Sequence, residues 1–123
     1  VRERSVLDKQ AFLAMLHGGL RELQDISSAG VGDKCLMDTL IPAVAAFEQA
    51  VGRGDDFAAA LEQMKIAAER GRDSTRELVA KIGRASRLGE RSRGVLDAGA
   101  VSCCLLLTRL ADEVEQRLNT VAA

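Results

Sequence analysis

Tryptophan and tyrosine are missing from this chain of 123 residues, and phenylalanine occurs three times, at Phe12, Phe47 and Phe57. That leaves little with which to stack single-stranded bases. The three cysteines, Cys35, Cys103 and Cys104, form an odd set with two adjacent members, so neither a disulfide framework nor a CxxC metal site can be built from them. A reducing, cytoplasmic setting is the expectation. Neither charge sign dominates: 17 Lys and Arg oppose 18 Asp and Glu, for a net charge of -1. This balance offers no global pull toward nucleic acid or an anionic membrane surface. No apolar run approaches the ~20 residues of a membrane helix, and no secretory signal pattern is present. A GxxxxGK(S/T) phosphate loop is also lacking. Carboxylates come at most in pairs, Asp33 with Asp38 and Asp55 with Asp56, too few for a Mg²⁺ cage.

What remains is helix-forming sequence. Ala occurs 19 times and Leu 16 times, with a single proline, Pro42. Leu13, Leu16, Leu20 and Leu23 recur at helical spacing and predict a helix over about 5–26. Leu36, Leu40, Val44, Phe47 and Val51 predict a second over about 34–52, with Pro42 a site for a kink or a later start. Phe57, Leu61, Met64 and Ala68 predict a third over about 56–80, capped by Asp55-Asp56, with Gly71 a weak point costing ~1 kcal/mol relative to Ala. Cys104, Leu107, Ala111, Val114 and Leu118, widened by Leu106 and Leu110, predict a fourth over about 98–120. No segment alternates with the period of a strand. The expectation is an all-α chain of antiparallel helices forming one domain over 1–123.

Residues 81–97, KIGRASRLGERSRGVLD, break the pattern with three glycines and four arginines. Over residues 70–93 eight basic residues face three acidic ones, a local +5 that leaves the remainder at -6. Glycines let backbone N–H groups approach an anion, and arginines match phosphate oxygens. Asp97-Ala98-Gly99-Ala100 then reads as a cap and a helix start, whose N–H groups and dipole suit a phosphate. The bland counterpart is a solvated loop whose arginines pair with Asp73, Glu77 and Glu90, and both readings stay open here. Gly32-Asp33-Lys34 reads first as a turn plus cap, with Lys34 in reach of a phosphate as the sharper reading. His17 stands alone as a packed or surface histidine, and Cys103 and Cys104 are core-packing residues.

At these same positions a family resemblance emerges. Gly83-Arg84-Ala85-Ser86-Arg87-Leu88-Gly89-Glu90-Arg91-Ser92, followed by Asp97-Ala98-Gly99-Ala100, resembles the GRASYLGERS…DPGA signature of the dihydroxyacetone kinase nucleotide-binding domain. Gly32-Asp33-Lys34-Cys35-Leu36-Met37-Asp38-Thr39-Leu40-Ile41-Pro42-Ala43 resembles that family's GDKTMLDAL-x-PA segment. The resemblance covers nearly the whole chain and is nearest in kind to the ADP-binding L subunit, or to the equivalent C-terminal domain of ATP-dependent enzymes.

The resemblance implies an up-and-down barrel of antiparallel helices, of which this chain is the C-terminal portion, with ADP or ATP bound at one end. It implies that Arg84 meets the nucleotide phosphates as the catalytic cation. Asp97, Ala98 and Gly99 line the site at the helix start, Leu36 sits beside the adenine, and Gly30 is a further site glycine. Implied partners are a dihydroxyacetone-binding kinase subunit and a phosphocarrier subunit of the phosphotransferase system. Mg²⁺ is implied as well, but the family's Asp cluster has no counterpart here, so its ligands are not expected in this chain and catalysis by this chain alone is not expected. Cys35 stands where the family has Thr, Arg87 where it has Tyr, Val95 where it has His and Ala98 where it has Pro. A partial barrel leaves apolar stripes for another segment, or another copy in a homo-oligomer, to cover. The competing expectation is a non-catalytic helical interaction module with a basic loop. Nucleic-acid binding through the 70–93 stretch is the weakest of the three, given the few aromatics.

Overall fold

The computed structural model describes residues 8–80 and 84–122, and the side chains among them except those of 84–87 and 120–122. It contains four α-helices, α1 (Lys9–Ile26), α2 (Met37–Gly52), α3 (Phe57–Ser74) and α4 (Ala98–Ala122), and no strand among the described residues. The all-α expectation holds. Three of the helices start on an aspartate whose carboxylate accepts from the backbone N–H three residues on: Asp8 from Ala11 at 2.8 Å, Asp56 from Ala59 at 2.8 Å and Asp97 from Ala100 at 2.9 Å. Such caps supply a partner to one of the N–H groups that a helix start leaves unbonded.

Helix α2 is the hub, packing on α1, α3 and α4, while α3 also packs on α4. The core follows the expected stripes in outline. Val44 and Phe47 of α2, Leu61, Met64 and Ala68 of α3, and Cys104, Leu107 and Ala111 of α4 are all buried together. Leu13, Leu20, Leu40, Val51, Val114 and Leu118 pack half-buried around them. The three phenylalanines, one from each of α1, α2 and α3, meet as a ring cluster with centroids 5.1, 5.5 and 6.1 Å apart. Tilted and edge-on aromatic pairs of this kind add about 0.5–1.5 kcal/mol beyond the area they bury. Two leucines depart from expectation: Leu106 is 72% and Leu110 38% exposed, so they lie outside the core stripe rather than widening it.

Two helix boundaries shift for identifiable reasons. The second helix starts at Met37, not near 34, because Gly32 (φ 98) and Lys34 (φ 60) both take left-handed conformations that no α-helix admits. Pro42 lies inside that helix and neither begins nor ends it. The third helix ends at Ser74 and passes through a 3-10 turn, Thr75–Glu77, rather than running to 80. There the hydroxyls of Ser74 and Thr75 donate to the Gly71 and Arg72 carbonyls, each at 2.7 Å. Hydroxyls that bond the preceding turn compete with the helix ladder and help to close it. Gly71 has a different role from the weak point its sequence suggests. A Cβ there would stand 2.0 Å from the Asp38 carbonyl oxygen and 2.9 Å from Thr39 Cα, so the missing side chain is what lets α3 lie against the backbone of α2. Pro42, lacking an N–H, leaves that same Asp38 carbonyl without its usual helical donor.

Candidate functional site

One end of the bundle collects the 27–36 connection, the start of α2, the 75–97 connection and the start of α4. The first of these is built on two aspartates. Asp33 accepts from the Gly30 N–H at 2.9 Å. The buried Asp38 carboxylate accepts from the N–H groups of Gly32 at 2.7 Å and Cys35 at 2.9 Å. An aspartate in the first turn of α2 thereby folds the preceding loop back over the helix start. The Cys35 thiol lies 3.9 Å from the Gly30 carbonyl. Burial raises its pKa, and the carboxylates of Asp38, Asp97 and Asp33 push the same way.

The described part of the second connection is held by its own bonds as well. Residues Arg84–Ser92 form a 3-10 segment broken at Gly89 (φ 56, ψ -131), so this part of the Gly/Arg stretch is not a structureless loop; residues 81–83 lie outside the described residues. The buried Ser92 hydroxyl accepts from the Ala80 N–H at 2.8 Å and donates to the Gly89 carbonyl at 2.6 Å. The Gly94 N–H donates to the Arg76 carbonyl at 2.6 Å. The buried Thr75 hydroxyl accepts from the Asp97 N–H at 2.9 Å, fixing where α4 begins. Arg93 is engaged with the Glu90 carboxylate at 3.1 Å and with the Glu77 carbonyl at 2.8 Å, and its guanidinium holds the Glu90 carboxyl below the usual range. Asp73 pairs with Arg72 at 2.9 Å.

Five of the six residues singled out by sequence come to this end of the fold. Gly30 and Leu36 lie in the first connection and Asp97, Ala98 and Gly99 at the start of α4. A Cβ on Gly99 would stand 3.6 Å from the Leu36 N and 3.1 Å from the Asp97 carboxylate, so the two motifs meet. Arg84 opens the 3-10 segment, but its side chain lies outside the described residues, as does all of Gly83. Beside Leu36 is a small, mostly apolar cavity of about 170 Å³, lined by Leu23, Ile26, Cys35, Leu36 and Met37 among others. Ligand pockets for whole drug-sized molecules run to about 300–1,000 Å³, so this one suits one flat ring system rather than a whole ligand. Against Leu36, Ala98 and Gly99 occupy the first two positions of α4, where backbone N–H groups have no acceptor within the helix. A larger cleft of about 410 Å³ lies between α2 and α3; it reaches Val31 and Asp38 and includes Gln49, Gln63 and Arg70, but no residue of α4.

Lys34, Asp38, Thr75 and Ser92 build this end, although sequence reasoning assigned none of them that role. Lys34 is 98% buried against carbonyl oxygens and does not face an open anion site; the turn reading of Gly32-Asp33-Lys34 is the one the structure bears out. Among the described residues no three His, Cys, Asp or Glu side chains converge to hold a metal ion. No described helix is long and apolar enough to cross a membrane.

The DAK2 domain family model matches residues 1–112. The chain is 38% identical over 112 residues, 91% of its length, to an L-erythrulose kinase of Pectobacterium atrosepticum, covering 17% of that protein. It is 33% identical to the ADP-binding subunit DhaL of the PEP-dependent dihydroxyacetone kinase of Escherichia coli K12, over 88% of this chain and 51% of the subunit. It is likewise 33% identical to the ADP-binding subunit DhaL of PEP-dependent dihydroxyacetone kinase 2 of Listeria innocua, over 83% of this chain and 47% of the subunit. The chain thus spans about half the length of the DhaL subunits it matches and less than a fifth of the erythrulose kinase.

Proposed function

The chain belongs to the DAK2 domain family, and from that premise we propose that it is a nucleotide-binding part of a dihydroxyacetone-kinase-type phosphotransferase, with ADP as its ligand. The observation that carries this reading is the meeting of two motifs far apart in sequence, Leu36 against Gly99, with an apolar cavity on one side and a capped helix start on the other. A nucleotide needs these two environments side by side: an apolar slot for its base and backbone donors for its phosphates.

In this reading the base enters the cavity beside Leu36, with Gly30 in the loop behind it. The N–H groups of Ala98 and Gly99 point toward the diphosphate, and the α4 dipole adds to their attraction. Arg84 supplies the cation that neutralises phosphate charge. Asp97 holds the helix start in place through its bond to Ala100. ADP, when bound, supplies the oxygen that carries the transferred phosphoryl group. The described residues do not fit a Mg²⁺ site of their own.

Residues 1–123 act as one helical unit within the family's up-and-down barrel, in the cytoplasm. The acceptor is a small ketose such as dihydroxyacetone, held on a kinase partner, and the phosphoryl donor is a phosphocarrier protein or ATP. Calorimetric titration with ADP in the presence of Mg²⁺ tests the proposal. Saturable binding is expected, weakened about 10- to 100-fold by Arg84→Ala, the usual worth of a charge-assisted phosphate contact. Absence of saturable ADP binding would refute it.

A further inference from the structure

Lys34 has the most unusual surroundings in the molecule. Its backbone is left-handed (φ 60), a conformation that glycine or asparagine adopts more readily. Its side chain is almost completely buried, and Nζ donates to the carbonyl oxygens of Leu78 at 3.1 Å, Val95 at 2.6 Å and Ser92. Three donated hydrogen bonds use the full donor capacity of a lysine ammonium. All three acceptors are backbone carbonyls of the second connection, while Lys34 itself belongs to the first.

We propose that Lys34 is the positioning residue of the candidate nucleotide site: its ammonium clamps the loop carrying Leu36 to the segment that delivers Asp97 and Gly99. The inference rests on the nucleotide reading above. It follows from what else joins the two sides. Leu36 and Gly99 approach at van der Waals distance, and a further polar tie among the described residues is the 3.3 Å bond from the Thr39 hydroxyl to the Ala100 carbonyl. Ser92 and Val95 flank the turn that leads into Asp97, so fixing their carbonyls fixes the approach to α4. In this reading the lysine side chain, spanning the two connections, holds the separation between the base slot and the helix start. A backbone conformation that is costly for lysine is retained because it aims Nζ at all three carbonyls.

Two substitutions separate the ammonium from the backbone. Lys34→Met keeps the length and removes the donors; Lys34→Gly relieves the left-handed backbone and also removes them. Lys65→Met, at the α3–α4 contact, is the comparison for a general loss of stability. Hydrogen exchange on the intact protein, without ligand, is expected to show 30–36 and 92–99 losing protection together in both Lys34 variants, while the α3 core around Leu61 and Met64 stays protected. ADP affinity is expected to fall on the order of tenfold or more in both, as preorganisation is lost, and to stay unchanged in Lys65→Met. If the exchange of the two segments is unaltered, or if ADP affinity falls equally in Lys65→Met, the clamp is overturned. Should the unsubstituted protein fail to bind ADP, the nucleotide reading falls, and the exchange pattern alone decides whether Lys34 couples the two segments.

Discussion

Replacing Gly71 with alanine sets helix propensity against packing. Gly71 lies within α3, where Gly→Ala is worth about 1 kcal/mol of added stability from propensity alone. The structure predicts the opposite sign. The new Cβ would fall 2.0 Å from the Asp38 carbonyl oxygen and 2.9 Å from Thr39 Cα, and both are backbone atoms that cannot rotate away. Relief requires α3 to withdraw from α2, opening the contact formed by Val44, Phe47, Leu61, Met64 and Ala68. Overpacking of a tight core costs about 1–3 kcal/mol, and a clash with rigid backbone belongs at or above the top of that range. After subtracting the propensity gain, Gly71→Ala is expected to destabilise by about 2 kcal/mol, lowering Tm by roughly 6–12 °C for a domain of this size. Gly18→Ala is the control, because a Cβ at Gly18 meets nothing within 4 Å; it should stabilise by about 0.5–1 kcal/mol. Urea and thermal unfolding of the three proteins read both signs. A Gly71→Ala protein as stable as the parent would refute the close approach of α2 and α3.

Lys65 joins α3 to α4 through Asp112 at 2.8 Å and Glu115 at 2.9 Å, with Glu62 of its own helix at 2.7 Å, and these carboxylates raise its pKa above the ordinary 10.5. Its contribution is therefore complete below about pH 10 and declines as the unfolded chain loses its proton first. Lys65→Met should be less stable by roughly 1 kcal/mol at neutral pH, with the gap narrowing above pH 10.5 in urea melts. Burial pushes the Cys103 thiol up to about 11, so at pH 8 its labelling by a disulfide reagent should run about 100-fold slower than that of an ordinary thiol. Ser92→Ala leaves the Ala80 N–H buried without its acceptor and should cost about 1–3 kcal/mol in the same unfolding assay.

Where a structural feature depends on local pattern, it was legible in the chain. The apolar stripes located the helices, and Asp56 and Asp97 marked two of the starts, because a cap needs only its own side chain and an N–H three residues on. The stripe could not decide how wide the buried face of α4 is, since Leu106 and Leu110 are as apolar as Leu107; packing partners alone decide that. Gly71 reads as a helix weakness until the neighbouring helix is in view. Lys34 reads as part of a turn, or as a cation in reach of a phosphate, for the same reason: its acceptors Leu78, Ser92 and Val95 become neighbours only after the chain has folded. For the site, sequence brought out Leu36 and Gly99 through resemblance, and the fold set them side by side. The groups that hold them there, Asp38, Thr75 and Ser92, carry no signature beyond being small polar residues.

The central claim is that ADP occupies the end of the bundle where Leu36 meets Gly99. Backbone amide NMR of the protein titrated with ADP tests it most directly. The account predicts saturable shifts centred on Gly30, Leu36, Asp97, Ala98 and Gly99, with Lys65 and Asp112 unmoved. Shifts centred instead on Gln49, Gln63 and Arg70 in the α2–α3 cleft, or no saturable shift at all, would contradict it.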